Sequence, residues 1–127
     1  MTMPAQTTGS ILVADDEPDI RAEIVEYLQR FGYAVTAVAN GEEALAALEV
    51  SIYDVMIIDA KMPRLDGQAV IQRLNEDEKS LPTIVLTGHL APETIERLKR
   101  QGVSAVLEKP ASLREIREQI KNLLAAV

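Results

Sequence analysis

Three aspartates, a threonine and a lysine carry the chemistry this chain offers. Asp15 and Asp16 stand side by side, Asp59 closes the apolar run Val55-Met56-Ile57-Ile58, Thr87 follows Ile84-Val85-Leu86, and Lys109 precedes Pro110. Carboxylates held close together repel, and a hard divalent cation bound through oxygen relieves that repulsion. Mg2+ suits the purpose, because it accepts one or two carboxylates and leaves room for water and phosphate oxygen. With a cation, an ammonium from Lys109 and a hydroxyl from Thr87 nearby, such a site fits a phosphoryl group in flight. Phosphoryl transfer needs mainly positioning and neutralisation of the equatorial oxygens. Asp59 is then the nucleophile, and the product is an acyl phosphate. Each residue alone has a plainer reading: an acid pair is commonly a solvated turn, and a single lysine commonly coats a surface.

Their meeting depends on the elements between them. Ser10-Ile11-Leu12-Val13-Ala14 and Val55–Ile58 read as strands covered on both faces, because they are apolar without alternation. Pro82-Thr83-Ile84-Val85-Leu86 reads as a fourth strand and Ala105-Val106-Leu107 as a short fifth, and Tyr33–Val38 alternates weakly, as an edge strand does. Helices fill the gaps. Pro18 opens the first, with Ile20, Ile24, Tyr27, Leu28 and Phe31 as its core face, and Gly32 closes it. Asn40-Gly41 leads into a second helix packed through Ala44, Leu45 and Leu48. Asp66-Gly67 leads into a third, with Val70, Ile71 and Leu74 inward; Asn75–Ser80 reads as its solvated end and loop. Pro92 starts a fourth whose stripe, Ile95 and Leu98, is thin. Ser112 and Glu115 have the spacing of a capping box before the last, which carries Leu113, Ile116, Ile120, Leu123, Leu124 and Val127. Five strands alternating with five helices predict an α/β, doubly wound parallel sheet, and the weak second strand favours the order 2-1-3-4-5. All strands of such a sheet end on one edge, so the five side chains should converge there.

Composition narrows the partners. With 127 residues, 47% hydrophobic and 26% charged, the chain fits one soluble domain, expected over 10–127 behind a loose polar arm, 1–9. The absence of cysteine excludes disulfides and thiolate metal sites and agrees with a cytoplasmic location. No apolar run approaches the roughly 20 residues that span a bilayer, so no membrane partner is expected. A net charge of −7 argues against direct nucleic-acid binding and suits a protein that holds a cation.

With Asp15-Asp16, the Asp59 strand followed by Met62-Pro63, Asp66-Gly67, Thr87-Gly88 and Lys109-Pro110 together, the chain resembles the receiver domain of two-component response regulators, in its single-domain chemotaxis-type form. The resemblance implies that Asp59 is phosphorylated from a phosphohistidine on a sensor histidine kinase or histidine phosphotransfer protein. It implies a Mg2+ ion held by Asp16, Asp59 and the backbone carbonyl of Lys61, with Asp15 acting through water, and Thr87 and Lys109 on the phosphoryl oxygens. It implies a cis Lys109–Pro110 bond, a downstream protein target whose identity the sequence does not give, and a homodimer formed on phosphorylation. The read-out face would be the fourth helix, fifth strand and last helix, with Arg97, Arg100, Arg114 and Arg117 as contacts. Val106 and Ala111 stand where the family often has an aromatic switch residue and a phenylalanine. Lys61 and His89, two residues beyond Asp59 and Thr87, are expected at the mouth of the site; His89 reads as solvated rather than as a ligand.

Three other readings share features of the chain. A flavin mononucleotide binder of the same topology needs a phosphate-cradling loop after the first strand, and Asp15-Asp16-Glu17 would repel phosphate. A haloacid-dehalogenase-like phosphatase would use Asp15 as nucleophile and need a cap segment. A pseudo-receiver that only docks would have no use for the full acid, threonine and lysine set.

Overall fold

The computed structural model describes residues 8–89 and 91–125. Strands and helices alternate throughout: β1 (Gly9–Ala14), α1 (Pro18–Arg30), β2 (Tyr33–Val38), α2 (Gly41–Val50), β3 (Val55–Asp59), α3 (Gly67–Glu76), β4 (Thr83–Thr87), α4 (Pro92–Arg100), β5 (Ala105–Glu108) and α5 (Leu113–Ala125). The strands pair in parallel in the order β2-β1-β3-β4-β5, as the weak alternation of β2 predicts. β1 begins at Gly9, one residue before the strand expected from the sequence, and the Thr8 amide already bonds the Gly32 carbonyl. The rest of the expected arm, residues 1–7, and Val127 on the last helix lie outside the described residues.

The uniform apolar character of the central strands has a simple cause. Successive side chains alternate between faces, and both faces are covered. Leu12, Ala14, Met56, Ile58 and Val85 face α2, α3 and α4 with Ala44, Val70, Ile71, Leu74 and Leu98. Ile11, Val13, Val55, Ile57, Ile84 and Leu86 face α1 and α5 with Ile24, Leu28, Ile116 and Ile120.

Local signals act as their chemistry requires. Asn40 and Asp66 cap α2 and α3 by accepting the amides of Glu43 and Ala69, each at 2.9 Å. Gly41 is required by close approach, since a Cβ there would stand 2.1 Å from the Leu65 carbonyl oxygen. At α5 the Ser112 hydroxyl accepts the Glu115 amide at 3.0 Å, which is the forward half of the expected capping box. Phe31 departs from its expected place in the core: it is 39% exposed. The Arg117 guanidinium lies 3.6 Å from its ring centroid, and Tyr27 packs against it at 5.0 Å, so a surface cation–π contact takes the place of burial.

α4 is the thinnest attachment, as its sparse stripe predicts: Leu98 is its one buried residue, and Ile95 is half-buried. Leu98→Ala should therefore destabilise the domain by about 2–4 kcal/mol, in the range for a buried leucine. Ile95→Ala should cost about 1 kcal/mol. Denaturant titration of both variants checks this; equal losses would mean that α4 is seated through its whole stripe.

Candidate functional site

The site lies at the carboxyl edge of the sheet, where register decides which residues meet. Ala14 of β1 stands opposite Ile58 of β3, so the next residues, Asp15 and Asp59, leave their strands side by side. Both strand ends are pinned: the Asp15 amide bonds the Val38 carbonyl at 3.1 Å, and the Ala60 amide bonds that of Leu86 at 2.8 Å. The Lys109 amide bonds the Thr87 carbonyl at 2.6 Å and brings the lysine over the same edge. The Lys109–Pro110 bond is cis, as expected.

Lys109 gathers the acids. Its Nζ lies 2.5 Å from Asp59 Oδ2, 3.2 Å from Glu17 Oε1 and 3.9 Å from Asp15 Oδ2. The other Asp59 oxygen, Oδ1, accepts the Lys61 amide at 3.1 Å. Asp15 is 1% exposed and Asp59 5%, whereas Asp16, Lys61 and His89 are exposed. Carboxylate oxygens of Asp15, Asp16, Glu17 and Asp59 all lie within 4.8 Å of one another. Asp15 Oδ1 accepts the Glu17 amide at 2.9 Å, while its buried Oδ2 has no hydrogen-bond partner among the described residues.

Burial pushes the Asp15 carboxyl above its ordinary value; the Glu17 amide and Lys109 pull it down, and Asp59 and Glu17 push it up. For Lys109, burial alone would lower the ammonium's value. The bond to Asp59, the fields of Asp15 and Asp59 and the contact with Glu17 outweigh burial and hold it above the ordinary value.

Thr87 is placed differently. Leu86 packs toward α1 and α5, so alternation turns Thr87 to the opposite face of the sheet. There it lines a groove of about 450 Å3 with His89, Ile95, Lys99, Val106 and Glu108. Among the described residues, its hydroxyl makes no hydrogen bond to the acids or to Lys109, though its backbone carries Lys109.

Three contributions to the site were not read from the sequence. Glu17 holds Lys109 from 92 residues away, a pairing no local pattern reveals. Arg21 donates from Nη1 to the Asp15 carbonyl at 2.7 Å; its place one turn beyond Glu17 is a signal only once the turn before α1 is known. Gly67, read as a turn residue, lets the chain pass over the end of β3. A Cβ there would stand 2.4 Å from the Asp59 carbonyl oxygen, and the Gly67 amide bonds the Ala60 carbonyl at 3.1 Å.

The donor set fits a hard divalent cation. It is all oxygen, it carries surplus negative charge, and it contains a buried carboxylate oxygen with no partner.

Comparison with known proteins agrees with this geometry. Residues 11–121 match the response regulator receiver domain. The chain is 38% identical over 116 residues to a probable transcriptional regulator, ycf27, of Cyanophora paradoxa, covering 90% of this chain and 47% of that protein. It is 32% identical over 123 residues to the sensor protein EvgS of Escherichia coli (strain K12), covering 97% of this chain and 10% of that one. The chain thus spans less than half the length of these relatives. Among solved structures, the receiver domain of the Francisella response regulator 1452 superposes with a TM-score of 0.89 at 29% identity, over 94% of this chain and 98% of that one. The chain belongs to the response regulator receiver domain family, a family of signalling domains.

Proposed function

We propose that this domain accepts a phosphoryl group on Asp59 from a phosphohistidine, in a reaction that needs Mg2+, and that the modified domain binds a different set of partners. The observation that carries this reading is the buried Asp59 carboxylate bonded to Lys109, beside an Asp15 oxygen without a partner. Asp15, Asp16 and Asp59, with the Lys61 carbonyl, would hold the cation, which supplies charge neutralisation on the phosphoryl oxygens when bound. An Asp59 carboxylate oxygen attacks phosphorus, the oxygen–phosphorus bond forms, and the phosphorus–nitrogen bond to the imidazole breaks with its electron pair leaving on nitrogen. Lys109 then transfers its hydrogen bond from the carboxylate to a phosphoryl oxygen. Thr87 would follow by turning its hydroxyl toward the phosphoryl group, and that movement would reshape the groove beside α4. α4 is held by a single buried side chain, which suits an element whose position is to change.

The donor would be a sensor histidine kinase or a histidine phosphotransfer protein in the cytoplasm. The receiving face would be α4, β5 and α5, open to a downstream protein or to a second copy of the domain. No helix among the described residues is long and apolar enough to cross a membrane.

Intact mass after incubation with Mg2+ and a small acyl phosphate tests the acceptor. One phosphoryl adduct, labile to hydroxylamine and missing in Asp59→Asn, is expected. An adduct that survives Asp59→Asn and disappears in Asp15→Asn would favour a phosphatase-like mechanism instead.

The cation should stabilise the fold by linkage. At a Mg2+ concentration about 100 times the dissociation constant, the gain is about 2.7 kcal/mol. Thermal melts should show this gain in the wild type and a much smaller one in Asp16→Ala; equal gains would remove Asp16 from the ligand set.

The acidic cluster also fixes a pH dependence in Mg2+-free solution. Because burial raises the folded value of Asp15 above 3.8, the folded chain keeps a proton that the unfolded chain has lost. The Asp15 contribution is therefore fully present below about 3.8 and is lost as pH rises through the raised value. Asp15→Asn should melt at a higher temperature than the wild type at neutral pH, with the gap closing as pH falls. A variant that melts lower at neutral pH would show that the Lys109 and Glu17 contacts outweigh burial.

A further inference from the structure

Glu17 occupies the position before α1 where a side chain would ordinarily cap the helix, yet it makes no capping bond. Its backbone is fixed at both ends: its amide donates to Asp15 Oδ1 at 2.9 Å, and its carbonyl accepts the Arg21 amide at 2.9 Å. From that fixed point the carboxylate reaches to Lys109 Nζ at 3.2 Å, on the solvent side of the site. Pro18 follows at the first helical position, where its missing N–H costs nothing.

We propose that Glu17 is a positioning residue for phosphoryl transfer, a second anchor that keeps Lys109 over the site while the charge on Asp59 changes. This rests on the reading of Asp59 as phosphoacceptor. The ammonium has three N–H donors. In the resting state one is directed at Asp59 Oδ2 and one at Glu17 Oε1. Once Asp59 carries a phosphoryl group, the first donor must move to a new oxygen, and a lysine anchored only by Asp59 would be free to swing into water during the exchange. Glu17 does not react and so holds Lys109 before and after transfer. An exposed ion pair adds little to stability, and the Glu17 side chain is 54% exposed. Its effect should therefore be seen in rate and side-chain order rather than in melting temperature.

The test uses wild type, Glu17→Ala, Glu17→Gln and the control Asp19→Asn, which removes a charge from the first turn of α1 without any contact to Lys109. Three quantities are measured: the phosphorylation rate with a small acyl phosphate at saturating Mg2+, the Mg2+ dissociation constant, and the inequivalence of the two Lys109 Cε protons by NMR in the unphosphorylated protein. Glu17→Ala should phosphorylate about 3–10-fold more slowly, a barrier change of about 0.7–1.4 kcal/mol. The Glu17 carboxylate lies within 4.8 Å of the other acids, so its removal should also weaken Mg2+ binding, and saturating Mg2+ is reached separately for each variant. The inequivalence of the Lys109 protons should shrink without vanishing, because the bond to Asp59 remains. Glu17→Gln keeps an acceptor and should recover most of the rate and of the inequivalence, and Asp19→Asn should match wild type. A wild-type rate in Glu17→Ala at saturating Mg2+, or unchanged inequivalence of the Lys109 protons, would overturn the proposal. If no variant takes up phosphate, wild type included, the phosphoacceptor reading fails. The Lys109 proton signals would still report in that case whether Glu17 anchors the lysine.

Discussion

Two buried carboxylates at the end of neighbouring parallel strands form the constraint on which this domain is arranged. Register fixes them side by side, since Ala14 and Ile58 are partners and Asp15 and Asp59 come next. Neither can move away without breaking the ladder that binds β1 to β3. Their repulsion has to be met from outside the two strands, and Lys109 meets part of it from the loop after β5. The remainder is visible as an Asp15 oxygen without a partner and as the raised Asp15 carboxyl. A buried charge left uncompensated is costly, so the site is built to take up positive charge. Under the proposed function, the groups it takes up are a cation and then a phosphoryl group accompanied by it.

The rest of the fold divides the labour between the faces of the sheet. On one face, α1 and α5 support the acids through Arg21 and Glu17 at the start of α1, with Lys109 arriving just before α5. On the other, α4 rests on Leu98 beside a groove that Thr87 lines. Thr87 is the one member of the set that belongs to both faces: its backbone carries Lys109, and its side chain faces α4. A change at the acids therefore has a short physical route to the weakly held helix. Val106, an aliphatic side chain, lines that groove beside Thr87.

How much of this was legible in the sequence follows from the range of each interaction. Strand order, the two-sided core and the convergence of Asp15, Asp59 and Lys109 follow from periodicity and from the geometry of parallel sheets, which are properties of short segments. The caps at Asn40 and Asp66 are equally local. Glu17 was illegible because its partner lies across the fold, 92 residues away. Gly67 read as a turn glycine, whereas its need comes from the Asp59 backbone passing beneath it. Phe31 had the correct helical phase for the core, but it lies at the C-terminal end of α1, where Arg117 covers it in place of the sheet. Thr87 was placed at the right edge, while the side of the sheet that it takes depends on knowing which face Leu86 occupies.

The acyl phosphate itself offers the most direct measurement. Borohydride reduces an aspartyl phosphate to homoserine and leaves free carboxylates intact, so peptide mass mapping of reduced, phosphorylated protein reads the acceptor residue by residue. Homoserine at position 59, formed only when Mg2+ was present during phosphorylation, is the predicted result. Homoserine at position 15 or 16, or equal conversion at 59 without any divalent cation, would contradict a site in which those acids hold the cation and Asp59 carries the phosphoryl group.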